Sequence, residues 1–255
     1  MRLTILGSGT SAPDGARNSA SYFLESGRVR MLMDCGAGAV HALARFGAPW
    51  ESMTHIALSH YHVDHAGELA PLFQGLKYGM AKPRSEPLVL MGPVGLNRVM
   101  EGLEHAFGSE LFRVKFPFET RIIAPGDVVA LDDDTLFKVA KTPHTEESVA
   151  FRIEAGGRAL CYTGDTAYSE SLSGFFADAD VLISECSFEE SREGGLHLSI
   201  AEAGRLAARA RAKKLVVTHF YFHVDEAKLI TELRSQFSGE IVVGKDGDVI
   251  EIDEG

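Results

Sequence analysis

The chain has 255 residues, 45% hydrophobic and 24% charged, with a net charge of −11. At about 150 residues per domain this is one large domain or two small ones, and the composition excludes wholesale disorder. No apolar run nears the ~18 residues of a bilayer span, the apolar run Leu3–Leu6 is too short for a secretory leader, and the acidic balance argues against a general grip on nucleic acid.

The expected elements run in chain order as short β-branched strands alternating with helices. Leu3–Leu6, Ser21–Glu25 and Val29–Asp34 read as strands, then Ala37–Phe46 as a helix. His55–Ser59 is a strand, Ala66–Gly79 a helix closed by glycine, Leu88–Met91 a strand and Val94–Phe107 a helix. Leu111–Phe116, Arg121–Ile123, Leu136–Lys141, Ser148–Glu154 and Ala159–Tyr162 read as strands. Val181–Ser184 is a strand, and Ser199–Arg211 is a helix with a Ser cap. Leu215–Thr218 is a strand and Val224–Phe237 a helix, and Ile241–Val243 with Val249–Ile252 is expected to close the chain as a hairpin. No linker interrupts the pattern, so residues 1–255 are expected to form one domain.

There is an internal echo. Gly27-Arg28 leads through a strand to Asp34, a helix, and Ile56-Ala57-Leu58-Ser59-His60; Gly157-Arg158 leads through a strand to Asp165, a helix, and Val181-Leu182-Ile183-Ser184-Glu185. A duplicated α/β unit would bring these polar strand ends together, where ligands bind in open α/β sheets. The three cysteines, Cys35, Cys161 and Cys186, form no CxxC pair and read as buried thiols of a reducing cytoplasm.

The chemistry is concentrated in His60-Tyr61-His62-Val63-Asp64-His65, where four side chains able to ligate a metal fall within six residues. Imidazole with carboxylate suits Zn²⁺ first, with Mn²⁺ or Fe as alternatives, rather than Ca²⁺. Two adjacent ligand pairs suggest two ions that need further ligands. His144, Asp165 and His219 each follow an apolar strand and are the candidates. Any one of them alone would pass for a turn former or a surface group; beside the cluster all three gain weight as ligands, because the ions need them.

The HxHxDH run, with a later His, Asp and His in this order, resembles the metallo-β-lactamase superfamily over essentially the whole chain. The resemblance implies an α/β fold, a four-layer αβ/βα sandwich of two internally related halves, with a dinuclear site at one edge. It implies that His60, His62 and His144 hold one ion, that Asp64, His65 and His219 hold the other, and that Asp165 bridges. Asp34 is similar to the family's early Asp, which supports the metal loop from behind.

Three further segments place the chain within that superfamily. Leu6-Gly7-Ser8-Gly9-Thr10-Ser11-Ala12-Pro13 with Arg17-Asn18 resembles the start of ribonuclease Z-like members; as a dinucleotide fingerprint it fails, because Pro13-Asp14-Gly15 stands where a helix would begin. Glu185-Cys186-Ser187-Phe188 and His197-Leu198-Ser199 resemble paired ribonuclease Z motifs in which a Glu and a His act near the leaving group. The long arm with which ribonuclease Z grips tRNA has no room here, since His144 and Asp165 are 21 positions apart and two strands fill the gap. The resemblance therefore points to small phosphodiesterases acting on cyclic nucleotides, cyclic phosphates or short RNA-type diesters. A ribonuclease Z-type tRNA 3′ endonuclease and a thioester or lactone hydrolase are the alternatives.

In this reading a water ionised between the metals attacks phosphorus in line, Asp64 orients it and accepts its proton, and His197, held by Glu185, protonates the leaving oxygen. His223 is a candidate for the substrate mouth. Arg205, Arg209, Arg211, Lys213 and Lys214 read as a solvated face. Phe73, Tyr78, Met80 and Pro83–Pro87 are a candidate surface for a homodimer. No membrane partner is expected.

Overall fold

The computed structural model describes residues 1–80 and 82–253. The strands β1 (Arg2–Gly7), β2 (Ser21–Ser26) and β3 (Val29–Met33) precede α1 (Ala39–Arg45) and β4 (His55–Ala57). Then come α2 (Val63–Ala66), α3 (Leu69–Tyr78), β5 (Leu88–Gly92), α4 (Leu96–Phe107) and β6 (Phe118–Ile122). The second half holds β7 (Val128–Ala130), β8 (Thr135–Lys141), β9 (Val149–Ala155), β10 (Arg158–Tyr162), α5 (Glu170–Phe175) and β11 (Val181–Glu185). It continues through α6 (Ile200–Arg209), β12 (Lys214–Thr218), α7 (Glu226–Gln236), β13 (Glu240–Val243) and β14 (Val249–Glu251).

Two seven-stranded sheets form, ordered β14-β1-β2-β3-β4-β5-β6 and β7-β8-β9-β10-β11-β12-β13. In each order the first three pairings are antiparallel and the last three parallel. The echo read from the sequence is thus a repeated topology. Strand alternation explains the layers. Tyr22, Leu24 and Met31 of one sheet and Phe137, Phe151 and Leu160 of the other point inward to a shared core. Phe23, Leu32 and Ile56 face outward onto α1, α3 and α4, while Cys161, Leu182 and Leu215 face α6 and α7. The order of layers is helix, sheet, sheet, helix.

Four expectations are corrected. The helix expected over Ala66–Gly79 is two helices, because the Glu68 amide leaves the helical ladder and donates to the Cys35 carbonyl at 2.9 Å. Leu111–Phe116 is a run of turns whose Leu111, Phe112 and Phe116 are buried among side chains rather than paired in a sheet; the strand begins at Phe118. The closing hairpin does not form. β13 joins β12 in parallel and β14 joins β1 on the other sheet, since alternation reports burial and not partner. The link between them spans the sheets, Gly244 donating to Val217 and Gly247 to Ile5. Phe73, expected on a dimer surface, is fully buried against Phe112 and Phe118.

The basic run is paired as a solvated face should be: Arg209 with Glu170, Arg211 with Asp178, Lys213 with Asp180 and Lys214 with Glu240. No helix among the described residues is long and apolar enough to cross a membrane.

Candidate metal centre

The site lies where the carboxyl ends of the parallel strands of both sheets meet. Asp34 follows β3, His60 lies just past β4, Asp165 lies past β10, Glu185 ends β11 and His219 follows β12. Cross-sheet bonds form its floor: the Tyr162 hydroxyl of one sheet donates to Asp34 of the other at 2.7 Å, and Tyr22 meets the Thr218 hydroxyl at 2.8 Å.

The HxHxDH loop is seated on the Asp34-Cys35-Gly36 turn. Asp34 holds φ +57°, a left-handed conformation that Asp tolerates better than most residues. Gly36 is required by close approach, since a Cβ there would stand 2.1 Å from the Asp64 carbonyl. The Cys35 amide donates to the His65 carbonyl at 2.7 Å. The fully buried Asp34 carboxylate accepts from the Ser59 amide (2.7 Å), the Ser59 hydroxyl (2.8 Å), His65 Nδ1 (2.7 Å) and Tyr162. His65 therefore presents Nε2 to the site.

Two groups of side chains converge. In one, ligand atoms of His60, His62, His144 and Asp165 lie within 4.8 Å of one another; in the other, those of Asp64, His65 and His219 do, and an overlapping set of Asp165, His197 and His219 meets the same distance. Asp165 faces both. Its Oδ2 is 3.8 Å from His60 Nε2 and 3.7 Å from His144 Nε2, and its Oδ1 is 3.3 Å from His65 Nε2 and 3.5 Å from His219 Nε2. His144 is oriented by donating from Nδ1 to the Leu196 carbonyl at 2.9 Å. Burial lowers the pKa of His60 well below its usual value, and burial lowers His144 too. Their rings are thus neutral and carry ligand lone pairs.

The donor set fits divalent metal. Asp34, Asp64, Asp165 and Glu185 are all buried, and no Lys or Arg among the described residues forms an ion pair with any of them. Asp165 Oδ1 and His60 Nε2 are buried without a hydrogen-bond partner. Buried carboxylates facing imidazole lone pairs repel unless a cation lies between them.

Beside the two groups, His197 Nδ1 lies 3.2 Å from both Glu185 oxygens and 3.8 Å from Asp165 Oδ2. Burial works against the His197 cation, but the bond to Glu185 and its charge outweigh that and raise the pKa. Burial raises the Glu185 carboxyl as well. Both shifts describe one proton held by the pair.

His223 is exposed and joins none of these contacts. Tyr221 does, its ring 5.6 Å from His219 and 6.1 Å from His197 and stacked on Phe188. Arg192 caps Phe188 at 3.4 Å. Tyr162 and Tyr221 were not singled out from the sequence, although each lies within three residues of an expected ligand.

Comparisons with known proteins give the family. The family profile of the anti-Pycsar protein Apyc1 matches residues 1–238. The chain belongs to that family. This Apyc1-family chain is 31% identical to the probable metallo-hydrolase YhfI of Bacillus subtilis, over 98% of this chain and all of that one. It is 26% identical to a ribonuclease Z of Halorubrum lacusprofundi, over 99% of this chain and 97% of that one. The crystal structure of YhfI, a metallo-β-lactamase fold protein, superposes with a TM-score of 0.83 at 28% identity over 98% of each chain. The short form of human tRNase Z superposes with a TM-score of 0.79 at 23% identity over the whole of both chains, a likeness of fold. The Apyc1-family chain is thus a metallo-hydrolase of the metallo-β-lactamase fold, and the β9–β10 hairpin fills the stretch between His144 and Asp165.

Proposed function

We propose that residues 1–255 act as one cytoplasmic, metal-dependent phosphodiesterase domain whose substrates are cyclic nucleotides, cyclic phosphates or short RNA-type diesters. The observation that carries the reading is Asp165, whose two oxygens face two separate histidine groups while the Glu185–His197 pair stands beside them. In this proposal His60, His62 and His144 hold one ion, Asp64, His65 and His219 hold a second, and Asp165 bridges, with Asp34 fixing His65 from behind. Two divalent ions held there, Zn²⁺ by preference, would supply Lewis acidity and a water ionised near neutral pH.

The chain's own residues do the rest. Asp64, 3.4 Å from His219 Nε2, orients the attacking water and takes its proton. His197 turns Nδ1 to Glu185 and keeps Nε2 free for the leaving oxygen. An alkoxide leaving group needs that proton; a thiolate does not. This favours a phosphodiester over a thioester. The mouth is partly apolar, with Val63 69%, Leu196 53% and Tyr221 40% exposed, each within two residues of a site residue. Such a rim suits a diester that carries a base. A homodimer through the face bearing Tyr78, 71% exposed, belongs to the same reading and is checked by sedimentation.

The test is hydrolysis of bis(p-nitrophenyl) phosphate and of cyclic nucleotides by the Zn²⁺- or Mn²⁺-loaded protein, beside a thioester, a lactam and a tRNA precursor, with His62→Ala as control. Diester cleavage lost in the variant is expected. Cleavage of the thioester or lactam alone overturns the phosphodiesterase reading, and cleavage of the tRNA precursor alone replaces it with a tRNA endonuclease.

A further inference from the structure

Two hydroxyls at the edge of the site, those of Ser59 and Ser187, are fully buried. Ser187 Oγ donates to Glu185 Oε2 at 2.6 Å and lies 2.9 Å from His219 Nδ1. Ser59 Oγ donates to Asp34 Oδ2 at 2.8 Å and lies 3.0 Å from His60 Nδ1. A hydroxyl has one proton to give, and an ionised carboxylate can only accept. With that proton committed to the carboxylate, the serine oxygen accepts from the imidazole Nδ1–H. Each serine therefore fixes a tautomer that leaves the lone pair on Nε2. His60 Nε2 is the atom left without a partner, and His219 Nε2 is the atom facing Asp64 and Asp165.

The two relays occupy matching places in the repeated topology. Ser59 stands two residues past the end of β4 and Ser187 two past the end of β11, and these strands hold the same position in their sheets. His65 and His144 have other partners for Nδ1, a carboxylate and a carbonyl. The serines thus divide the site, one histidine in each group.

We propose that Ser59 and Ser187 are positioning residues, one for each half of the metal centre, each passing the orientation of a buried carboxylate through a hydroxyl to a ligand histidine. The proposal rests on the reading that the two groups bind metal. Partners behind metal ligands are typically worth about 10–100-fold in metal affinity.

The experiment titrates metal-free protein with Zn²⁺ against a competing chelator for the wild type, Ser59→Ala, Ser187→Ala and Ser187→Thr. Two binding steps are expected in the wild type. Ser187→Ala should weaken one step by about 10–100-fold and Ser59→Ala the other by a similar factor. Ser187→Thr, which keeps the hydroxyl, should bind as the wild type does. Two-ion binding of unchanged affinity in both alanine variants overturns the proposal, as does a threonine variant as weak as alanine. A wild type that binds no ion overturns the underlying reading instead. Should a variant not fold, long-range ¹H–¹⁵N spectra of the wild type decide: Nδ1–H tautomers at His60 and His219 are expected, and Nε2–H tautomers refute the relay.

Discussion

Replacing Asp34 by Asn tests how far one buried carboxylate organises the site. Asn keeps the shape and tolerates the left-handed φ of +57°, so the backbone need not move. Asp34 accepts four hydrogen bonds, three of them on Oδ2. An amide nitrogen in that place meets the Ser59 hydroxyl, the Tyr162 hydroxyl and the His65 ring. Hydroxyls can turn and accept instead. His65 can follow only by moving its proton to Nε2, which removes the ligand lone pair. A hydrogen bond to a charged group is worth about 1.5–3 kcal/mol, so one net loss costs about 2 kcal/mol. At about 2–4 °C per kcal/mol for a chain of this size, Tm falls by roughly 4–8 °C. Circular dichroism of the metal-free variant measures the stability, and metal titration measures the ligand. The expected result is a folded variant with that loss and one weakened metal step. A variant with the wild-type Tm and both metal steps intact would refute the reasoning.

Three further outcomes separate the roles of the site residues. Loss of His62 should lower metal content and activity together, whereas His197→Ala should keep two ions and lose about 10²–10⁴-fold in kcat as a missing general acid; equal metal loss in both variants contradicts the division. The raised pKa of His197 means that its proton is present at low pH and lost as pH rises through that value, so the alkaline limb of kcat against pH lies above the ordinary histidine value of about 6.5. Glu185→Gln removes the charge that holds the proton and should move the limb to lower pH; an unmoved limb assigns it elsewhere. Gly36→Ala places a Cβ 2.1 Å from the Asp64 carbonyl, a contact that only backbone movement relieves. That variant should accumulate little folded protein by gel filtration, and a wild-type yield and Tm would show that the loop is not so constrained.

The residues that converge at the candidate site were legible in the sequence because metal ligation would demand particular side chains at strand ends, and the HxHxDH run concentrates them. The repeated halves were legible from order alone, as the matching sheet topologies bear out. Pairing was not. The burial of β13 and β14 reads the same whether they face each other or lie on different sheets, so the hairpin expectation failed. Leu111–Phe116 is apolar enough for a strand, yet its side chains serve the packing under α3 and α4. Tyr162, Ser59 and Ser187 escaped notice because a hydroxyl behind an expected ligand leaves no spacing signature; their bonds to Asp34 and Glu185 exist only in the folded chain. Tyr221 gave a weaker signal, an aromatic two residues past an expected ligand, and the structure sets it beside His197 where the exposed His223 is not.

The central claim is that Asp165 divides two metal positions. Anomalous scattering from a crystal of the Zn²⁺-loaded protein tests it most directly. Two peaks per chain are expected, one beside Asp165 Oδ2 among His60, His62 and His144, the other beside Oδ1 among Asp64, His65 and His219. A single peak, or peaks away from Asp165, would contradict it.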